Sequence, residues 1–229
     1  GNPPYVEYRL VKKDYTLQSG LYRSESTSNL YAFCMERSCT LLNSRGQFGM
    51  IVPSGVLGLD QASCLREVLF NSFALSHCST YGIRPSKLFE GVDQRLCIFL
   101  GNRGSSSEKS IWTTQYKRWH VEERTSLFDR LVYRRSLVHS RLDRVPQVGS
   151  SQSAVILNKI ESHNHKTISS YFSNARSGVL MHYHRSPRYW IRAMDFEQYF
   201  KSATRSKSIH HFRDLYFRSK RDAKIVGAL

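Results

Sequence analysis

The apolar positions of this chain fall into short blocks whose period changes from helical to strand-like and back. Over residues 29–42, Leu30, Phe33, Cys34, Leu41 and Leu42, with Arg37 among them, form a mostly apolar stripe at helical spacing. Asn43-Ser44-Arg45-Gly46 stops it. Residues 47–52 (QFGMIV) are a short apolar run suited to a buried strand, turned over by Pro53-Ser54-Gly55. A second amphipathic helix is expected over 61–70, with Asp60 as its N-cap. Strands are expected at 74–81 (ALSHCSTY) and 95–100 (RLCIFL). Helix, strand, helix, strand, strand is the order of the second half of a doubly wound α/β domain that ends in an antiparallel pair.

Residues 101–110 (GNRGSSSEKS) are turn- and Ser-rich and read as a domain boundary. The chain therefore divides into 1–108, part of an α/β sheet domain, and 109–229, a mixed α/β region. In the second part a Trp-rich segment (111–120) precedes an expected helix around 122–138 and a polar break at 146–153. A helical stretch near 154–172 and an irregular aromatic-basic stretch over 176–200 follow. Residues 224–229 read as the start of a helix without a stop signal. No internal repeat is present.

Charge sharpens this division. The net charge is +16 over 229 residues. Residues 1–108 hold 11 Lys/Arg against 9 Asp/Glu, a net of +2, whereas 109–229 hold 23 against 9, a net of +14. The basic part also carries Trp112, Trp119, Trp190 and eight of the nine His. Basic residues interleaved with aromatics are the footprint expected for a nucleic-acid partner. No apolar run approaches the roughly 18 residues of a membrane span. The five Cys are odd in number and lack C-x-x-C spacing, so they read as reduced thiols of a cytoplasmic protein. His163-x-His165, His182-x-His184 and His210-His211 have no accompanying Cys or carboxylate at ligand spacing and read as phosphate- or solvent-facing rather than metal-binding. A Gly-x-x-x-x-Gly-Lys loop and a Glu-x-Lys pair are both absent, which argues against NTP hydrolysis and one common nuclease site in this segment.

The densest chemistry sits in Asn2-Pro3-Pro4-Tyr5. The Asn2 side-chain oxygen and the Pro3 carbonyl can each accept one N–H of a planar NH2 group, stabilising the charge that grows on nitrogen as it attacks. Two prolines fix φ and remove donors, so the turn is rigid. Tyr5 offers an aromatic face for a planar target. This tetrapeptide, the pattern NLYAFCMERSCTLLNSRGQFGMIVPSGVL and the strand FEGVDQRLCIFLGN resemble the γ-class, Taq-type adenine-N6 DNA methyltransferases and the related type IIG restriction–modification polypeptides. RSPRYWIRAMDFEQYF and HHFRDLYFRSK resemble the target-recognition half of such proteins.

The resemblance implies that 1–108 is the C-terminal half of a Rossmann-like methyltransferase sheet and 109–229 a mixed α/β target-recognition region on double-stranded DNA. It implies S-adenosylmethionine as methyl donor, a flipped adenine stacked between aromatics, and catalytic roles for Asn2, Pro3, Pro4 and Tyr5. The second stacking aromatic falls on Phe99, the one aromatic of its strand, which could equally be a core residue. Arg185, Arg188, Tyr189 and Arg192 are candidates for phosphate contact, base contact and stacking, with Trp190 buried. The family's Gly-rich donor loop and ribose-binding acid are absent, and Gly55-Val56-Leu57-Gly58 is a poor substitute. The chain is therefore expected to be part of a larger protein, with the donor half, and any fused nuclease, upstream. Alone it should bind the donor weakly and expose an unpaired strand edge near 48–52. Two other readings stay open: a protein-glutamine methyltransferase sharing the turn, and a catalytically silent DNA-specificity module.

Overall fold

The computed structural model describes residues 1–14, 16–104, 109–136, 144–162, 167–174, 176–184, 193–196 and 212–227. These form two compact units, Gly1–Glu161 and Ser162–Leu229. After the N-terminal turn comes a single helical turn, α1 (Tyr8–Val11), then α2 (Leu30–Leu41), β1 (Gln47–Pro53), α3 (Ser63–Ser72), β2 (Leu75–Tyr81), β3 (Leu96–Asn102), β4 (Ser110–Thr113), β5 (Arg134–Ser136) and α4 (Ser151–Ser162). The second unit holds β6 (Val179–His184), β7 (Ala193–Met194), β8 (Phe212–Phe217) and α5 (Lys220–Gly227).

The α/β class stands. The first unit is a five-stranded sheet in the order β1-β3-β2-β4-β5. β3 runs antiparallel to both β1 and β2, and so lies between two strands that are parallel to each other. β4 pairs parallel with β2, and β5 antiparallel with β4. β1 is the outermost strand on one side of this sheet, and Gly1 bonds its free edge at residues 49 and 51. The polar segment 101–110 is not a boundary between compact units. It joins β3 to β4 inside one sheet, and the division falls at Glu161/Ser162 instead.

One sheet face is covered by α2 and α3. Val52, Cys97, Phe99 and Cys78 meet Met35, Leu65 and Leu69 there, all buried. α2 starts where Asn29 Oδ1 accepts the Tyr31 N–H at 3.4 Å. Its buried face is Tyr31, Met35 and Cys39 at four-residue spacing, with Ala32 and Phe33, rather than the stripe of Leu30, Cys34 and Leu41. Leu41 is 69% exposed. The sheet settles this choice, because Tyr31, Met35 and Cys39 are the residues that reach it. Asp60 does not cap α3. It opens a 3-10 turn, and its carboxylate pairs with Arg144 at 2.7 Å. Arg66 on α3 is buried and donates to the Val56 and Leu59 carbonyls at 3.1 and 2.8 Å, fastening the turn after β1.

Three further expectations shift. The helix expected at 122–138 is a 3-10 turn, Val121–Ser126, followed by β5. Glu123 holds that turn by accepting the His120 N–H at 2.8 Å. The helix near 154–172 begins earlier, at Ser151, and a separate 3-10 turn spans Ile168–Tyr171. Residues 179–184, within the stretch expected to be irregular, form the central strand of the second sheet, order β7-β6-β8. Its core is Met181, Phe217 and Ala223. Among the described residues no helix is long and apolar enough to cross a membrane.

Candidate active site

The Asn2–Tyr5 turn is set against the outer edge of β1. The Gly1 amino group donates to the Gly49 carbonyl at 2.6 Å, and the Ile51 N–H donates to the Gly1 carbonyl at 3.0 Å. Bonds to residues 49 and 51 from one residue are the pattern of a parallel pairing. They place Asn2 near the carboxyl end of β1. Beyond the turn, Leu30 N–H donates to Val6 O at 2.9 Å and Tyr8 N–H to Ser28 O at 3.0 Å. The tetrapeptide is therefore held at one end by the sheet and at the other by the start of α2.

Tyr5 ties the turn together. Its hydroxyl lies 2.7 Å from Asn2 Oδ1 and 2.8 Å from the Ile51 carbonyl oxygen. Both are acceptors, so the single phenolic proton serves one at a time. Its ring is half-buried and packs against two hydrophobic clusters, one on each sheet face. That burial raises the phenol pKa above its usual value, and the group keeps its proton at neutral pH. An amide oxygen has two lone pairs. With one taken by Tyr5, Asn2 Oδ1 is oriented and still able to accept an incoming N–H. Asn2 and Pro4 are exposed and Pro3 is half-buried.

Phe99 is in the core. It is 0% exposed and its ring meets Phe48, Phe70 and Phe73 at centroid distances of 5.8, 6.2 and 6.0 Å. No planar target reaches it without opening the sheet–helix interface. Phe89, which the sequence reading passed over, is half-buried and packs on the same cluster as Tyr5, in the loop that joins the carboxyl end of β2 to β3. Its signal was Phe89-Glu90-Gly91-Val92, an aromatic beside a turn at the same sheet end as Tyr5.

Arg185, Arg188, Tyr189, Trp190 and Arg192 lie outside the described residues, as do His163, His165, His210 and His211. His182 Nδ1 sits 2.8 Å from Asp214 across β6 and β8, a local pair. Among the described residues no three His, Cys, Asp or Glu converge as a metal site.

A groove of about 410 Å³ adjoins Pro4, walled by Leu17, Tyr22, Leu30 and Phe33. Its one charged neighbour is Arg37. A methyl donor with a sulfonium cation and a ribose diol needs acidic and polar acceptors, and this groove has no carboxylate. This groove does not fit S-adenosylmethionine.

A rigid Asn-Pro-Pro-Tyr turn thus lies beside β1, the outermost strand of a mixed α/β sheet. Residues 1–89 match the Eco57I restriction-modification methylase family. The Escherichia coli type II restriction enzyme and methyltransferase RM.Eco57I is 26% identical over 129 residues, 54% of this chain and 13% of that protein. Among solved structures, a nuclease-deletion mutant of the type ISP restriction-modification enzyme LlaGI, in complex with a DNA substrate mimic, shares the fold. It has a TM-score of 0.53 and 12% identity, covering 80% of this chain and 20% of that one. The chain thus spans about an eighth to a fifth of the length of these relatives.

Proposed function

We propose that this chain carries the amino-acceptor half of a DNA adenine-N6 methyltransferase site, with its basic part reading double-stranded DNA, in a restriction–modification system. The observation that carries the reading is the Asn2 amide oxygen held by the Tyr5 hydroxyl, beside the Pro3 carbonyl. The adenine, flipped out at a cost of about a few kcal/mol, donates one N–H to each oxygen. Tyr5 and Phe89, rather than Phe99, offer the aromatic faces. The methyl group comes from S-adenosylmethionine, held by residues other than those described here. The role of this chain is to position the nitrogen and stabilise its developing charge. Arg185, Arg188, Tyr189 and Arg192 remain its proposed DNA contacts, and a cytoplasmic location follows from a DNA substrate and five free thiols.

The test is methyl transfer by the intact gene product, with Asn2→Ala beside it. N6-methyladenine in duplex DNA, falling by about 100-fold or more in the variant, supports the reading. Label on a protein glutamine instead would replace adenine as the substrate. The poor fit to the donor favours a second reading, a DNA-specificity module without catalysis. Salt-sensitive DNA binding with no transfer by the intact product would select it.

A further inference from the structure

A cleft of about 780 Å³ opens next to the turn, and the chemistry assigned to Asn2–Tyr5 does not use it. Its walls are α1, residues 27–29, the turn after β1 and the approach to β3. Three cations line it, Arg9, Lys12 and Arg95, against one carboxylate, Glu7. Arg9 pairs with Glu7. Neither Lys12 nor Arg95 has an ion pair among the described residues, and both are exposed. The Arg95 guanidinium lies over the Tyr116 ring, 5.6 Å from its centre, which restricts where the charge can go.

The walls are fixed. Ser54 N–H donates to the Arg95 carbonyl at 2.8 Å, joining the turn after β1 to the start of β3. Tyr8 N–H donates to the Ser28 carbonyl at 3.0 Å across the other side. Ser28 itself is held left-handed, at φ 51°, the one non-glycine residue with positive φ among those described. It is the residue that ends the 3-10 turn Arg23–Thr27, where a left-handed cap is common, and its N–H donates to the Glu25 carbonyl at 2.9 Å. Glu7, two residues past Tyr5, and Pro53, two past Ile51, both line the cleft, so it begins within about 7 Å of the turn. An acceptor base at the turn brings its own sugar-phosphate backbone to this distance.

Resting on the function proposed above, we propose that this cleft binds the phosphodiester backbone of the target strand beside the base held at Asn2–Tyr5, with Lys12 and Arg95 as the phosphate-binding cations. The 229-residue chain can be titrated with a fluorescent duplex carrying one adenine opposite an abasic site, at 50 to 200 mM KCl, by anisotropy. The double variant Lys12→Ala/Arg95→Ala should bind at least tenfold more weakly. Its plot of log affinity against log salt should be less steep by about 1.8, that is about 0.9 for each phosphate no longer neutralised. Thermal unfolding of the variant at the wild-type temperature keeps a folding defect out of the comparison, and Lys12→Gln/Arg95→Gln provides a second neutral pair. Unchanged affinity and slope in both pairs would overturn the cleft assignment. Methyl transfer by the intact product separates the two proposals. Transfer lost in Asn2→Ala, with an unchanged slope in Lys12→Ala/Arg95→Ala, sinks the cleft alone. A reduced slope without any transfer leaves the cleft standing as a DNA-binding surface and removes the catalytic reading.

Discussion

Tyr5 is the residue on which the candidate site turns. Its hydroxyl can bond Asn2 or Ile51, and its ring joins both sheet faces. Tyr5→Phe keeps the ring and removes the hydroxyl. The expected loss is about 1 kcal/mol of stability and at least tenfold in kcat for methyl transfer by the intact product, with KM for DNA little changed. A KM effect alone would mean that Tyr5 holds substrate and does not orient Asn2. Ser28 is a second residue with a defined cost. At φ 51° an L side chain is strained by about 1–2 kcal/mol. Ser28→Val should lower the unfolding free energy from urea titration by a further amount of that order, because a β-branched side chain fits that region worst. Ser28→Gly should leave it near wild type, since relief of strain is offset by the chain entropy of glycine. Asn2 and Tyr5 were legible in the sequence as parts of one rigid turn. Their mutual hydrogen bond was not, because nothing in a tetrapeptide says which way the phenol turns.

At the scale of elements, the end of β3 packs closely on Phe73. A Cβ at Gly101 would lie 2.7 Å from the buried Phe73 ring. Gly101→Ala should destabilise by about 1–3 kcal/mol, read as a fall in Tm of the first unit. On the opposite face of β2, His77 stacks on Trp112 at 6.3 Å and meets Tyr133 edge-on at 5.0 Å. Burial lowers its pKa below the usual value, because the imidazolium loses solvation there. The unfolded chain, with a His pKa of about 6.5, therefore binds the proton more readily than the folded one. Stability is unaffected well above that pH and falls as pH drops below it, until the folded pKa is passed. His77→Gln should lose less stability than wild type between pH 7.5 and 5.5 in urea unfolding. Parallel curves would remove His77 from the acid response. β5 shows why one element was misread. Residues 122–138 carry apolar positions compatible with a helix, but β4 offers an unpaired edge, and pairing with it takes 134–136 as a strand.

Across the whole molecule, the uneven charge is the feature with consequences. With 23 Lys/Arg against 9 Asp/Glu beyond residue 108, binding to DNA should be dominated by counterion release. If six to ten phosphates are neutralised, affinity should fall by about 10³–10⁵ between 50 and 200 mM salt. A nearly flat dependence would exclude DNA as the partner of the basic part. The compact units do not follow this charge division. The first sheet extends past residue 108 through β4 and β5, so a change in composition marked a change of surface and left the core continuous.

The sequence alone determined what depends on neighbouring residues: the α2, β1, α3, β2 and β3 blocks, the two-proline turn and the sign of the charge. The tertiary structure decided what depends on residues far apart in the chain. It inserted β3 between two parallel strands, which buried Phe99 among Phe48, Phe70 and Phe73 and left Phe89 on the same hydrophobic cluster as Tyr5. It also chose the buried face of α2 and drew the Tyr5 hydroxyl to Asn2 and Ile51. The physical reason is range. Periodicity and turn chemistry are written over a few residues, whereas burial and hydrogen-bond partners are set by which strand edges and faces meet after the chain has closed on itself.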